Sequence, residues 1–203
     1  SIWSRYIDLC REQDSSIPAV PFPEDGYHGS YVIDFAREFL NRYGIEPAYH
    51  AYDEARLRSF GVELAMAMIR RTLDRFAVHF DVFTSETVLH EGGAVRHALE
   101  RLQQVGLTYE QDGALFFTST RFGDEKDRVL IRADGAPTYF AADIAYHLNK
   151  LDRGYEHLID IWGADHHGYV PRMKCSLEAF GRSQNDLEVL LVQFVSLVNE
   201  GEK

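Results

Sequence analysis

Cysteine is nearly absent from the 203 residues: Cys10 and Cys175 stand far apart, with no Cys-x-x-Cys or His-rich spacing around either. That pattern argues against a disulfide scaffold and against a structural metal site, and it fits a reducing, cytoplasmic setting. No stretch approaches the ~20 consecutive apolar residues that a membrane span needs. The opening "SIWSRYIDLCREQD" is too charged for a signal peptide, so no membrane partner is expected. Bases are in the minority as well, 21 Lys and Arg against 32 Asp and Glu, which leaves a formal charge of -11. Attraction to a phosphate backbone should therefore be weak for this stretch alone, and a cationic or small-molecule partner suits it better. Internal repeats and low-complexity tracts are missing too. So is an initiator Met: the chain opens inside a helical pattern and stops at "NEGEK" after an apolar run, which reads as a piece of a longer protein.

What is present is enough for a folded core, with 45% hydrophobic and 13% aromatic residues. Residues 1 to 14 look helical, and the prolines and glycines of "SSIPAVPFPEDGYHG" mark a loop. Tyr31, Phe35, Phe39 and Tyr43 recur at helical spacing before Gly44, a natural C-cap, and a second, arginine-studded helical pattern runs from Asp53 to about Val78. "HFDVFTSETVL" alternates and reads as extended. A helix carrying Val95, Leu99 and Leu102 follows, and then a hairpin with Asp112-Gly113 at its tip, a pair suited to a type I′ turn. "FGDEKDR", from Phe122 to Arg128, reads as a solvated loop.

The last third changes character. "RVLIRAD", "HLIDIWGAD" and "LEVLLVQFV" are strand-like and are separated by the helical "TYFAADIAYHLNKL" and "GYVPRMKCSLEAFG". Strand, helix, strand, helix, strand predicts parallel pairing with crossovers, half of a doubly wound sheet. Ligands of such sheets sit beyond the carboxyl ends of the strands, where "RADG" and "GADHHG" fall.

Candidate chemistry gathers there. Tyr139 and Asp143 lie four apart, so a phenol and a carboxylate project from one helix face. The plain alternative makes Asp143 an exposed first-turn acid and Tyr139 a core aromatic. Asp165, His166 and His167 end the next strand between Gly163 and Gly168, which allow close backbone approach. Here the plain alternative is a histidine capping the next helix, and a sharper rival is metal: "DHH" also occurs in metal-dependent phosphoesterases, with His147 or Asp160 as further ligands. No DxD motif precedes it. Glu86, in "FTSETVL", is an acid among apolar neighbours.

"DGAPTYFAADIAYHLNKLDRGYEHLIDIWGADHHGYVPRMKCSLEAFG" resembles the second half of the catalytic domain of bacterial arginyl-tRNA synthetases, which are class I aminoacyl-tRNA synthetases. The likeness continues upstream through "HFDVFTSETVLHEGGAV", "YEQDGALFFTSTRFGDEKDRVLIRADG" and "YHGSYVIDFA". It implies an α/β fold, a partial Rossmann-type parallel sheet with an α+β connective insertion. The expected divisions are a helical part at 1–79, the insertion at 80–128 and the second half of the catalytic domain at 129–203. By position, the resemblance implies that Glu86, Tyr139, Asp143 and Asp165 contact arginine, and that Gly163 and His166 lie toward ATP. It assigns no residue here a catalytic acid–base role. ATP, with Mg in the parent enzyme, is the implied co-substrate, no structural metal is implied, and the partners are arginine and tRNA(Arg). Residue chemistry agrees: a guanidinium presents five donors in one plane, and carboxylates with a phenol oxygen supply the acceptors. The HIGH-type and KMSKS-type motifs that serve the ATP phosphates are missing, so the piece is expected to be inactive alone. A non-catalytic arginine-binding module is the other reading.

Overall fold

The computed structural model describes residues 1–50 and 52–196. "NEGEK" lies outside the described residues. The chain divides into two compact units, Ser1–Val82 and Phe83 onward.

The first unit is helical. α1 (Ile2–Gln13), α2 (Ser30–Tyr43) and α3 (Glu54–Arg75) follow the predicted periodicity, with Gly44 at positive φ closing α2 and the Asp53 carboxylate accepting from the Arg56 amide at the start of α3. Tyr6, Phe39 and Phe60 meet edge to face with centroids 5.0 Å apart in each contact. Each such ring contributes roughly 1.5–3 kcal/mol by leaving water. The Tyr6 hydroxyl keeps a partner by donating to the Gly44 carbonyl at 2.9 Å.

The run that straddles residues 82 and 83 departs from the sequence reading. "HFDVFTSETVL" forms no strand: residues 78–80 and 82–85 carry no regular element, and Ser85 then introduces the helix α4 (Glu86–Glu91). Alternation produces a strand only where a ladder partner exists, and among the described residues no strand forms a ladder with this run. α5 (Ala94–Gln104) follows, then the hairpin of β1 (Thr108–Gln111) and β2 (Ala114–Phe117). Its turn residues Asp112 and Gly113 stand at φ 51° and 76°, as a type I′ turn requires. "FGDEKDR" is largely a loop with Glu125 and Lys126 exposed, but Asp124 departs from that reading, being buried and accepting from Arg128 Nε at 2.7 Å and Nη2 at 2.6 Å.

β3 (Arg128–Ile131) also corrects an expectation. It pairs antiparallel with β2 to make a three-stranded sheet, and it does not join the parallel strands downstream. The reason lies in its edges. β2 takes one, and the chain's own return past Gly135 takes the other, through the Arg132 amide on the Ala136 carbonyl and the Thr138 amide on the Leu130 carbonyl, both 2.9 Å. The parallel sheet is therefore small: β4 (Leu158–Gly163) and β5 (Leu187–Val192), in register from Leu158↔Leu187 to Gly163↔Val192. Between β3 and β4 runs α6 (Tyr139–Asp152), and between β4 and β5 runs α7 (Val170–Ala179), both as predicted. Phe117, Leu130, Ile144, Leu148, Met173, Leu177 and Leu187 close one core beneath helices and strands alike.

Candidate functional site

Thr138 fixes where the site begins. Its hydroxyl accepts from the Ala141 amide at 3.3 Å as the N-cap of α6 and donates to the Val129 carbonyl at 2.9 Å, tying the helix start to β3. Tyr139 is thereby the first helical residue, and Asp143, His147 and Lys150 follow down one stripe while Ala141, Ile144, Ala145 and Leu148 enter the core.

That polar stripe meets β4. His147 places Nδ1 at 2.8 Å from the Asp143 carbonyl and Nε2 at 2.7 Å from Asp160 Oδ2. The ring thus bridges the backbone of α6 and the carboxylate of β4. Lys150 Nζ donates to the other Asp160 oxygen at 2.9 Å. Burial opposes charge on Asp160, yet the bonds and charges of His147 and Lys150 outweigh it and hold the carboxyl below its ordinary value. These two residues, named from sequence as possible metal ligands, are each other's partners.

Asp143 is shifted the other way. Burial raises its carboxyl; a hydrogen bond from Tyr169 and the His147 charge pull it partly back, and Glu86 and Asp160 add to the rise. α4 lies against α6, which brings the Glu86 charge within reach of Asp143. The Glu86 side chain is itself 60% exposed and stands 3.6 Å from His90 Nε2. Asp143 is thus not the exposed first-turn acid of the plain reading, nor is Tyr139 a core aromatic, being 83% exposed.

The "GADHHGY" segment continues β4 as a 3₁₀ turn, Ala164–Tyr169. Asp165 folds back so that a Cβ on Gly163 would collide with its carboxylate, whereas Gly168 faces open space. His166 Nε2 stands 3.6 Å from Asp165 Oδ2, and His167 Nδ1 faces the Ala164 carbonyl at 3.2 Å. Neither histidine caps α7. Among the described residues, no hydrogen bond joins Asp165 to Tyr139 or Asp143, and no three His, Cys, Asp or Glu side chains gather as metal ligands would.

The residue that does reach Asp143 from this turn is one the sequence reading passed over. Tyr169 donates its hydroxyl to Asp143 Oδ2 at 2.6 Å. Phe140 and Trp162 meet its ring edge to face at 6.0 and 5.8 Å, and the Arg172 guanidinium lies 4.8 Å from its centroid. Burial and the Asp143 charge push this phenol far above the usual range, so it remains a donor. The only signal in the sequence was its place, one helical turn beyond the strand end that carries Asp165.

A cavity of about 280 Å³ in the first unit, lined by Trp3, Tyr43, Pro47, His50 and Asp53, shares no residue with this cluster. Its aromatic wall already holds a guanidinium, that of Arg56, 4.1 Å from the Tyr43 centroid. It offers little to a second one.

No protein-family model matches the sequence. Curated relatives do. The chain is 48% identical over 196 residues, 96% of its length, to the arginine–tRNA ligase of Desulfosudis oleivorans, of which the match covers 35%. It is 46% identical over 206 aligned residues to that of Heliobacterium modesticaldum, all of this chain against 35% of the relative. Among solved structures, a Campylobacter jejuni protein described as an arginyl-tRNA synthetase superposes over 99% of this chain and 44% of its own, with a TM-score of 0.82 at 38% identity. Fold and sequence together define the class, a homologue of the aminoacyl-tRNA synthetases. More narrowly, the chain is homologous to arginine–tRNA ligases and spans about a third of the length of the curated relatives it matches.

Proposed function

We propose that this chain supplies the amino-acid pocket of an arginine–tRNA ligase, which joins arginine and ATP into arginyl-adenylate and passes the arginine to tRNA(Arg) in the cytoplasm. Asp143 carries the reading. It is a half-buried carboxylate whose ionisation is held back by burial and by neighbouring acids, and a cation would relieve that penalty. Glu86 adds charge from α4, Tyr139 stands one turn before Asp143, and Asp165 closes the end of β4. Such acceptors match the planar donors of a guanidinium better than the single ammonium of lysine, and a mismatched ligand would leave buried acceptors unpaired.

In this reading Gly163 and His166 face ATP, whose Mg and phosphates are served by HIGH-type and KMSKS-type segments that the chain does not contain. Residues 80–128 are the connective insertion between a helical part at 1–79 and the second half of the catalytic domain at 129–203. Preorganised charge around the phosphates dominates such catalysis, so the chain alone should not activate arginine. A DHH-type phosphoesterase reading finds no support in the pairing of His147 with Asp160 or in the exposed, separate His166 and His167.

Arginine-dependent ATP–pyrophosphate exchange, assayed with tRNA present, tests this in a full-length protein carrying the chain. Asp143→Asn should lower kcat/KM for arginine in the exchange by about 100-fold or more, mainly through a higher KM, since a charge-assisted pair is lost from the transition state and the ground state alike. Unchanged exchange in that variant would overturn the assignment.

A further inference from the structure

Resting on that reading of the pocket, we propose that Tyr169 is a positioning residue that sets specificity: it fixes the plane of the Asp143 carboxylate, so that a planar guanidinium is preferred to a freely rotating ammonium. Three observations support it. The hydroxyl donates to Asp143 Oδ2 at 2.6 Å, a charge-assisted geometry that leaves Oδ1 as the open acceptor. The phenol ring cannot swing away, being held edge to face by Phe140 and Trp162 and covered by the Arg172 guanidinium. The backbone below Asp143 is fixed as well, because its carbonyl is bonded to the buried His147 ring, which is itself locked to Asp160.

An aspartate side chain has two torsions, χ1 and χ2, once its backbone is set. A short hydrogen bond to one oxygen restricts both and so narrows the directions open to the other oxygen's lone pairs. A guanidinium demands acceptors in its own plane, whereas an ammonium finds a favourable donor direction at almost any carboxylate rotation. Losing the pin should therefore cost arginine more than lysine.

The groups that face Asp143 are Tyr169 from the 3₁₀ turn, Glu86 from α4, Asp160 from β4 and His147 on its own helix. Of these, Tyr169 and His147 favour the ionised carboxyl while Glu86 and Asp160 oppose it. Removing the phenol hydroxyl must therefore move the acid limb of arginine binding to higher pH.

The test is calorimetric binding of arginine and of lysine, from pH 5 to 8, by the full-length protein and its Tyr169→Phe and Asp143→Asn variants. Tyr169→Phe keeps the ring and its packing. It should weaken arginine binding by roughly 10- to 100-fold, narrow the arginine-to-lysine ratio, and raise the pH at which binding falls off. If Tyr169→Phe binds arginine with unchanged affinity, ratio and pH midpoint while Asp143→Asn does not bind, the role of Tyr169 is refuted and the pocket stands. If neither variant differs from the parent, the pocket assignment fails and this inference with it. Should Tyr169→Phe not fold, 3-fluorotyrosine at position 169 asks the same question: its more acidic hydroxyl donates more strongly and should shift the midpoint to lower pH. An unmoved midpoint would overturn the proposal.

Discussion

Two aspartates a few ångströms from one histidine titrate in opposite directions, and the signs decide how each variant behaves. Asp160 is held below its ordinary value, so the stability it contributes is complete above the unfolded carboxyl value of ~3.9 and is lost as pH falls through the lower folded one. Asp160→Ala would leave the Lys150 charge and the buried His147 ring without their shared acceptor and should cost about 3–5 kcal/mol. Urea unfolding read by Trp162 emission in a Trp3→Phe background checks this in the second unit. Asp143 is raised, so the folded state binds a proton more readily than the unfolded one, and ionisation costs stability above the ordinary carboxyl value. Asp143→Asn should accordingly raise the melting temperature at pH 7 by a few degrees while removing arginine binding. A lowered melting temperature would show that ionisation of Asp143 does not cost the fold stability. Asp143 was legible in the sequence because it follows Tyr139 by four residues, which puts a carboxylate and a phenol on one helix face. Tyr169 was not, since a tyrosine before a helix has many uses and its partner lies 26 residues away.

Local chemistry made most elements readable and long-range pairing made others opaque. The helices that carry Phe39, Leu99 and Ile144 follow their apolar spacing, and the Asp112-Gly113 hairpin follows from the φ values that its turn needs. Gly113→Ala should therefore cost about 1 kcal/mol, through conformation alone, because the nearest atom to an added Cβ is 3.7 Å away. An equilibrium unfolding curve unchanged by this substitution would argue against the turn. β3 was misread because its sequence is equally fit for parallel and antiparallel ladders; the choice falls to the return at Gly135, which closes its free edge. α4 was misread because alternation specifies a strand only when a neighbouring strand is available, and Ser85 instead begins a short helix.

The charge of the whole chain points to the kind of partner it suits. With -11 formal charge it is poorly suited to hold a polyanion and well suited to concentrate a cation. The chain by itself should show no tRNA binding beyond the weak non-specific range, Kd of about 10⁻⁴ to 10⁻⁶ M, at physiological salt. Tight retention of tRNA that falls steeply as salt rises would assign this portion a direct role in RNA binding.

Calorimetry with arginine and citrulline, on a full-length protein carrying this chain, separates charge from shape. Citrulline keeps the length and the planar end group of arginine and lacks its positive charge. If Asp143 and Glu86 form the recognition site, arginine should bind about 100-fold more tightly than citrulline at pH 7, with proton release appearing below that pH as Asp143 is driven to ionise. Citrulline binding as tightly as arginine would contradict an acid-built pocket.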